Sequence, residues 1–333
     1  MRTIGLVGVG KIGLPIAENL IKSGYRVLGY RRSSLAEFEK LGGVAARSPA
    51  DVAAGADIVL TCLPSADALD EVVQGEHGLV QTVRPGQIIV ELGSHLIPDK
   101  ERQISPLAAK GAIFIDGEVG GTPTMVSARK AVVYLAGDAE AAKKLEPVIH
   151  GFTDIVHYFG PFGSASKVKL VNNLLVAVHI AATAEAMALG LKAGVDVDLM
   201  IKAVAAGSGG SAQFGVRAPW MAQRRFLPAH GNVPGLSHYF ELIDALASRA
   251  GVATPMLDRA IELYERCTEM GLGELDHAVM VDVVASIPRA KRTKTGSAGP
   301  RKRELKRGKR KKNTAKKSAK KSIRKSKSRR RTR

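Results

Sequence analysis

A glycine-rich turn close to the amino terminus constrains the fold of this chain more than any other feature. The turn reads Gly8-Val9-Gly10-Lys11-Ile12-Gly13. An apolar run at 4–7 precedes it, and apolar residues at helical spacing follow it up to Gly24, which predicts a strand, a tight turn and a helix. In dinucleotide sites such glycines permit the turn, the approach of a pyrophosphate and the packing of helix on strand. We expect a dinucleotide site here; the alternative is an ordinary glycine-rich turn.

The residues after the second predicted strand indicate which dinucleotide binds. An acidic side chain at this position bonds the ribose 2′-hydroxyl of NAD, but the chain has no carboxylate there. It has Tyr30, Arg31, Arg32, Ser33 and Ser34. Guanidinium groups present forked donors that match the oxygens of a 2′-phosphate. We therefore expect NADP(H) to be preferred, with NAD(H) as the alternative cofactor; a solvated basic turn is the other interpretation.

The net charge of +19 is concentrated at the end of the chain. Residues 289–333 contain 24 Lys and Arg against the single acid Glu304, a charge of +23, so subtraction from +19 leaves −4 on residues 1–288. This tail lacks aromatic residues and apolar periodicity, which predicts disorder. Such polycations bind phosphates without sequence preference. We expect non-specific nucleic acid as a partner of the tail; the alternative is a solvated or spurious extension.

Cysteine usage and one apolar stretch bear on the compartment. Cys62 and Cys267 are too few for a disulfide framework, and the first strand follows Met1 without a signal peptide, so we expect a cytoplasmic protein. Residues 170–191 are apolar enough to resemble a membrane span. They include polar side chains such as Glu185, which are costly in hydrocarbon. We therefore expect a long buried helix and no membrane association, and we predict no metal site.

Strand-like runs alternate with helical patterns through the first half of the chain. The predicted strands after the first are 26–30, 58–62, 88–92, 113–116, 132–136 and 155–159. This alternation is typical of an α/β protein with a doubly wound parallel sheet, the Rossmann fold. Helical patterns alone follow, near 164–193, 196–206, 236–250, 256–270 and 275–285. We predict a dinucleotide-binding Rossmann domain at 1–163, an all-helical domain for substrate binding and dimerisation at 164–288, and a disordered basic tail at 289–333.

Two of the predicted strands end in residues that suit a cofactor. The carboxyl ends of parallel strands meet at one edge of a sheet, and ligands bind at this edge in doubly wound folds. We therefore expect the residues that follow the strands at 58–62 and 88–92 to contact the cofactor. They are Leu63, Pro64, Ser65 and Ser94.

A second glycine turn leads into a helix that carries one lysine and two asparagines. The turn is Gly160-Pro161-Phe162-Gly163, and the helix carries Lys169, Asn172 and Asn173. The pattern resembles the β-hydroxyacid dehydrogenases, a family that includes 3-hydroxyisobutyrate dehydrogenase and tartronate semialdehyde reductase. The resemblance covers most of 1–288, with the first glycine turn and residues 63–65, 116–121 and 271–276, and it leaves out the tail.

The resemblance implies that Lys169 exchanges a proton with the substrate hydroxyl while a hydride moves between the substrate carbon and nicotinamide. An ammonium within hydrogen-bond reach neutralises the charge that develops on a ketone oxygen. Lys169 and Asn173 are four residues apart, so both can reach one substrate from the same helix face. Asn173 would then bond the carboxylate or hydroxyl of the substrate. The alternatives are a surface lysine that solvates the helix and a buried asparagine that caps a loop.

The chain departs from the family pattern at its substrate positions. After Asp116, where relatives commonly have Ser-Gly-Gly, it has Gly120, Gly121 and Thr122, so the first position lacks a hydroxyl. The backbone N–H groups of this turn can still hold a carboxylate, and Thr122 can supply the missing oxygen; the alternative is a turn that only lets the chain pass close to the cofactor. The family's lysine near the nicotinamide corresponds to His238, which can still donate a hydrogen bond.

Three functions fit these observations. The first is an NADP-dependent dehydrogenase or reductase of a small β-hydroxy acid or semialdehyde, which Lys169 and Asn173 favour. The second is a nucleic-acid-associated protein that uses a dehydrogenase-like domain for assembly. The third is a reductase of a non-acid substrate such as an imine, which the changes at Gly120 and His238 suggest. The long apolar helix and the resemblance together predict a homo-dimer or tetramer.

Overall fold

In the computed structural model, which describes residues 2–289, eight strands form one sheet. They are β1 (Thr3–Val7), β2 (Arg26–Tyr30), β3 (Val44–Ala45), β4 (Ile58–Thr61), β5 (Ile88–Glu91), β6 (Ile113–Gly120), β7 (Val132–Ala136) and β8 (Ile155–Tyr158). Their order is β3-β2-β1-β4-β5-β6-β7-β8, and the first six positions follow the Rossmann order. The predicted fold class, a doubly wound sheet followed by helices, is confirmed.

One pair of strands departs from the all-parallel sheet that the sequence predicted. β6 continues past Asp116 to Gly120, and it pairs antiparallel with β7, whereas β7 and β8 are parallel. The connection between β6 and β7 contains only the short helix Pro123–Ser127, and a parallel crossover needs about a dozen residues or more. The chain therefore turns back on itself, and Glu118 lies opposite Tyr134.

Helices cover both faces of the sheet. They are α1 (Gly13–Lys22), α2 (Ala36–Lys40), α3 (Pro49–Gly55), α4 (Ala66–Gln74), α5 (Ile97–Glu101), α6 (Ile104–Ala108), α7 (Pro123–Ser127) and α8 (Ala139–Ile149), with a 3₁₀ turn at Leu79–Gln81. Successive strand residues point to opposite faces, so Ile4 and Leu6 join one apolar cluster and Val7 joins the other. Both clusters fix the carboxyl edge of the sheet, where the candidate site lies.

The remaining helices pack around one long central helix. They are α9 (Ser164–Lys192), α10 (Val197–Ala206), α11 (Ala212–Gln223), α12 (Val233–Ala250), α13 (Pro255–Glu269) and α14 (Met280–Ser286), with a 3₁₀ turn at His277–Val279. By length and composition α9 could cross a membrane, but it contacts five other helices and two strands, and its Lys169 and Asn173 are buried in protein. This packing is that of a core helix.

The helical part differs from the prediction at α11. No helix was expected there because Gly215 and Pro219 interrupt the apolar pattern. Ser211 caps the helix by accepting a hydrogen bond from the backbone N–H of Phe214 at 3.0 Å, and Phe214 and Ala218 are buried against α9 and its neighbours. Contacts group Met1–Ile287 into one compact unit, so the division after residue 163 stays a prediction.

A buried ion pair joins α11 to the 3₁₀ turn before α14. Arg217 Nη1 donates to the carboxylate of Asp276, which also accepts from the backbone N–H groups of His230 at 3.0 Å and Ala278 at 2.9 Å. The neighbouring His277 is buried, and its Nδ1 has no hydrogen-bond partner within the described part of the chain. Burial and the Arg217 guanidinium lower the pKa of His277 to about 4, so this imidazole is neutral at pH 7.

Candidate active site

The first glycine turn has the geometry of a phosphate cradle. Gly8 has a φ of +100°, and a Cβ at Gly8 or at Gly13 would collide with a backbone carbonyl. A Cβ at Gly10 would meet nothing within 4 Å, so open space lies directly above the backbone. α1 begins at Gly13 without a side-chain cap, which leaves helix N–H groups for an anion. These residues fit the pyrophosphate of a dinucleotide.

A cavity of about 1030 Å³ opens beside this turn. It lies over the carboxyl ends of β1, β2 and β4, at the point where the strand order reverses, which is where doubly wound sheets bind their ligands. The volume is at the upper end of the usual range for ligand pockets. The predicted cofactor residues that line it are Gly8, Gly10, Lys11, Ile12, Gly13, Tyr30, Arg31, Arg32, Ser33, Leu63 and Pro64.

Three other predicted cofactor residues do not line this cavity. The side chain of Val9 is fully buried beneath the turn. Ser65 accepts a hydrogen bond from the backbone N–H of Ala68 at 3.2 Å and thereby caps α4. Ser94 lines a smaller adjoining pocket. The large cavity also has lining residues that the sequence analysis did not single out, among them Arg47, Ser48 and His77.

Three arginines, Arg31, Arg32 and Arg47, line the large cavity. Arg31 Nη1 donates to the carbonyl of Val9 at 2.8 Å, which ties β2 to the glycine turn, and its buried Nε has no partner among the described residues. Arg32 is exposed, 3.8 Å from Glu71, and the side chain of Arg47 is almost fully exposed. An orphaned buried donor between exposed guanidinium groups fits an anionic ligand.

A smaller pocket of about 220 Å³ continues the large cavity. The two share Ile12, Cys62, Leu63 and Pro64. The small pocket therefore lies where the reactive end of a bound dinucleotide would meet a substrate. Its other lining residues include Ser94, Gly121, Lys169, His238 and Tyr239, which brings four of the predicted site residues together.

Lys169 enters this pocket from α9. Gly163, with a φ of +85°, turns the chain into the helix, and Lys169 lies on a buried face of its second turn, only 6% exposed. Its Nζ donates to the carbonyl of Val119 at 2.8 Å and lies 5.4 Å from the ring centre of Tyr239. An ammonium group has three donors, so two remain for a ligand, and the aromatic face stabilises its charge.

Asn173 is buried one helical turn beyond Lys169, on the same face of α9. Its Oδ1 accepts a hydrogen bond from Asn172 Nδ2 at 3.1 Å, which leaves the Asn173 amide N–H₂ for another acceptor. Asn173 is not among the residues that line the small pocket. The structure therefore places it one helical turn from the lysine and outside the described lining of the pocket.

The turn after β6 supplies less polar surface to the pocket than the sequence suggested. Gly121 lines the pocket, whereas a Cβ at Gly120 would lie 3.0 Å from the Tyr134 hydroxyl. The Thr122 hydroxyl accepts from the backbone N–H of Met125 at 3.4 Å and bonds Thr124 at 2.8 Å. Thr122 is not among the residues that line the small pocket, and its hydroxyl caps α7; its role toward a substrate stays a prediction.

A buried charge cluster that the sequence analysis missed lies directly behind the pocket. Lys100, fully buried, donates to Asp116 Oδ1 at 3.0 Å and to Glu118 Oε1 at 2.9 Å. The Ser166 hydroxyl donates to Asp116 at 2.7 Å, which links α9 to β6. Burial lowers the pKa of Lys100, but Glu118 and Asp116 raise it more. Burial raises the pKa of Glu118 against the opposing pull of Lys100.

Ser94 connects this charge cluster to the pocket. Its hydroxyl donates to Glu118 Oε2 at 2.5 Å and lies 3.4 Å from the Tyr239 hydroxyl. His238, which the sequence analysis did predict, is exposed, and its Nε2 lies 3.1 Å from the carbonyl oxygen of Ser94. Tyr239 was not expected in the site, although its position next to His238 on α12 was a usable signal.

The thiol of Cys62 lies in both cavities but does not suit nucleophilic chemistry. Burial, with the negative charges of Glu91 and Glu118, raises its pKa to about 12. The thiolate is the reactive form of cysteine, and it is scarcely populated at neutral pH with such a pKa. The candidate proton-transfer group of the small pocket is therefore the lysine.

Two family models match the chain. The one described as the NAD binding domain of 6-phosphogluconate dehydrogenase matches residues 3–160. The one described as the NAD-binding of NADP-dependent 3-hydroxyisobutyrate dehydrogenase matches residues 163–284. Together they span both the sheet and the helical part, and they leave out the basic tail.

Individual relatives match over nearly their whole length. The chain is 30% identical to the NAD-dependent L-serine dehydrogenase of Pseudomonas aeruginosa over 289 residues, 84% of this chain and 97% of the relative. It is 29% identical to the L-threonate dehydrogenase of Cupriavidus necator, over 86% of this chain and 97% of the relative. Its fold is similar to that of a 3-hydroxyisobutyrate dehydrogenase from Salmonella typhimurium, with a TM-score of 0.74 and 23% identity over 85% of this chain and all of that one.

Proposed function

The chain belongs to the β-hydroxyacid dehydrogenase family, and on that premise we propose that it interconverts a small β-hydroxy acid and its oxo form with NADP(H), using Lys169 as general acid and base. It is an NAD(P)-dependent oxidoreductase that acts on CH–OH groups of small molecules. The observation that carries the proposal is the position of Lys169, which is buried and points into a pocket continuous with the cofactor cavity.

The glycine turn and the residues shared by the two cavities would bind different parts of the cofactor. Backbone N–H groups of 8–13 would hold the pyrophosphate, and Ile12, Leu63 and Pro64 would enclose the nicotinamide, since they line both cavities. When bound, the nicotinamide supplies or accepts the hydride. The apolar walls around it exclude water from the reacting carbon, which protects this chemistry.

Lys169 holds the proton that the reaction needs. As a carbonyl is reduced, its oxygen gains negative charge, and an ammonium at hydrogen-bond distance donates a proton to it. In the reverse direction the neutral amine accepts the hydroxyl proton. The hydrogen bond to Val119 orients the ammonium, and the Asn173 amide N–H₂ lies on the same helix face to bind the substrate.

The preference for NADP(H) is argued from the arginines. Arg32 and Arg47 line the cavity with exposed side chains, and the buried Nε of Arg31 has no hydrogen-bond partner among the described residues. A 2′-phosphate would satisfy these donors, whereas the 2′-hydroxyl of NAD would leave the positive charges without a counterion. Among the relatives, the descriptions name both NAD-dependent and NADP-dependent enzymes.

The size of the pocket favours a small substrate. A volume of about 220 Å³ is below the usual range for drug-sized ligands. The relatives are named for L-serine and L-threonate, which are small hydroxy acids. A carboxylate would be held by backbone N–H groups of the turn 120–122, with Lys169 and Asn173 at the hydroxyl.

A second candidate function is the reduction of a non-acid substrate such as an imine. The observation that favours it is the turn after β6, where Gly120 has no side chain and the Thr122 hydroxyl caps α7. The turn therefore contributes no side-chain hydroxyl to the described pocket. A substrate without a carboxylate needs fewer polar partners there.

We propose a homo-oligomer for the same chain. Large apolar side chains are exposed along one stripe of α9, at Val171, Leu175 and Leu189, and a second subunit would cover them.

Nucleic-acid binding by residues 289–333 stays a prediction from charge, because the tail beyond Arg289 lies outside the described residues. The cytoplasmic location also stays a prediction.

A turnover screen tests the proposed function. The full chain is assayed with NADPH or NADP⁺ against 3-hydroxyisobutyrate, L-serine, L-threonate, small semialdehydes and cyclic imines. We expect turnover of at least one β-hydroxy acid or its oxo form. Turnover of imines alone would favour the second candidate, and failure of every substrate with either cofactor would contradict both.

A further inference from the structure

Tyr239 places a phenol hydroxyl in the same small pocket as Lys169. The residue lies on α12, where the packing of the helical part against the sheet brings it over the lysine, with the ammonium 5.4 Å from its ring centre. The hydroxyl lies 3.4 Å from Ser94 Oγ. The pocket therefore contains two hydrogen-bond donors, the ammonium of Lys169 and the phenol hydroxyl of Tyr239.

The hydrogen bonds behind the pocket leave the phenol proton available to an acceptor. A serine hydroxyl has one proton, and Ser94 donates it to Glu118 at 2.5 Å. Lys100 donates to both Asp116 and Glu118, so a cation faces these two carboxyl groups. While Ser94 donates to Glu118, the Tyr239 hydroxyl keeps its own proton, which it can donate to an acceptor in the pocket. These contacts link Tyr239 through Ser94 to Glu118.

The length of the contact between the Tyr239 and Ser94 hydroxyls matters. A distance of 3.4 Å is beyond the usual range for O–H···O bonds, so the phenol is held loosely and a better acceptor can replace Ser94. A carbonyl oxygen that gains negative charge beside Lys169 is such an acceptor. His238 is less suited, because it is exposed and its ring nitrogen already faces the Ser94 carbonyl.

We propose that Tyr239 is a further catalytic residue, whose hydroxyl donates a hydrogen bond to the reacting oxygen while Lys169 transfers the proton. This assignment rests on the proposed function. In reduction the carbonyl carbon gains the hydride, the π electron pair moves to oxygen, and the oxygen takes a proton from the Lys169 ammonium. Tyr239 keeps its proton throughout, and its hydrogen bond stabilises the oxygen before the proton arrives.

The test is Tyr239→Phe, which removes the hydroxyl and keeps the ring over Lys169. The full chain is assayed with the substrate of the turnover screen that the wild type converts fastest. We expect kcat to fall about 10²-fold, as for the loss of one donor to a developing oxyanion, with unchanged NADPH affinity and melting temperature. Tyr158→Phe is the matched control, since this exposed tyrosine bonds only the Gly137 carbonyl outside the pocket.

Two further measurements keep the outcome decisive. With NADPH deuterated at the transferred position, Tyr239→Phe should show a larger isotope effect on kcat than wild type, because the chemical step has become slower. Ser94→Ala, which keeps the phenol and removes the hydroxyl that lies between it and Glu118, should lose less activity than Tyr239→Phe. Wild-type kcat in a folded Tyr239→Phe variant, or a greater loss in Ser94→Ala, would overturn the assignment alone. A wild-type chain inactive on every substrate would overturn the proposed function and this assignment together.

Discussion

The Nζ of Lys169 lies 2.8 Å from the carbonyl oxygen of Val119, and this bond joins the central helix of the helical part to the strand that ends at the pocket. Val119 is next to Glu118, whose carboxylate is held by Lys100. The lysine that the substrate would meet and the buried ion cluster are therefore positioned by the same strand. Any shift of β6 would move both.

Cofactor preference should depend on the exposed arginines. Arg32→Ala is expected to weaken NADPH binding about tenfold, equivalent to about 1.4 kcal/mol for one charge-assisted contact, and to leave NADH binding nearly unchanged. Titration of both cofactors, followed by fluorescence, checks this. Arg26→Ala is the control, because Arg26 lies at the other end of β2. Tighter binding of NADH than NADPH by the wild type would contradict the assignment.

Arg31 should behave differently from Arg32. Its Nη1 holds the Val9 carbonyl in the glycine turn, so Arg31→Ala is expected to weaken both NADPH and NADH. A loss confined to NADPH would show that the bond to Val9 does not shape the turn.

Stability should depend on pH through His277. The folded chain holds this imidazole neutral, with its pKa lowered from 6.5 to about 4, whereas the unfolded chain takes up a proton below about pH 6.5. The contribution is therefore present above pH 6.5 and is lost as the pH falls toward 4, by roughly 3 kcal/mol in all. Urea unfolding of His277→Gln across this range should show a shallower pH dependence. The exposed His157→Gln is the control, and identical slopes in all three proteins would refute the prediction.

The buried cluster should be sensitive to the loss of its cation. Lys100→Met leaves Asp116 and Glu118 buried without their partner, and breaking a buried pair in this way costs about 3–5 kcal/mol. Chemical unfolding measures the loss, with Lys110→Met, at an exposed position before β6, as the control. If both variants keep the wild-type free energy of unfolding, Lys100 does not hold the carboxylates.

The proposed oligomer can be tested on α9. Leu189 is 71% exposed on the apolar stripe, so Leu189→Glu should shift the full chain from dimer or tetramer to monomer in sedimentation at micromolar concentration. Val252→Glu, at an exposed apolar position after α12, should have no effect. A monomeric wild type would contradict the proposal.

Local patterns explain how much of the fold could be predicted. β2 and β7 have the predicted bounds because apolar alternation and flanking turn residues mark them directly. α11 was missed because Gly215 and Pro219 break its pattern, while burial of Phe214 and Ala218 stabilises it. In α11, tertiary packing therefore outweighs the low helix propensity of Gly215 and Pro219.

Some residues of the candidate site could likewise be predicted from local patterns, and others could not. The glycine turn and Lys169 are contiguous or helix-periodic signals, so the sequence indicated them. Lys100 and Glu118 are far apart in the chain and meet only because β5 and β6 pair and α5 packs at their ends. Tyr239 reaches the pocket only through the packing of α12. Contacts of this kind have no local signature, whereas the Thr122 cap of α7 is local, because a threonine followed by a proline is a helix-start signal.

The central claim is that Lys169 transfers the proton, and the most direct test is the turnover of Lys169→Ala. The variant is compared with wild type and with Lys167→Ala, an exposed lysine on the same helix, at saturating NADPH and the best substrate. General acid catalysis predicts that kcat falls about 10²–10⁴-fold in Lys169→Ala, while Lys167→Ala keeps wild-type activity and both variants keep NADPH affinity. Near wild-type turnover by a folded Lys169→Ala would contradict the account.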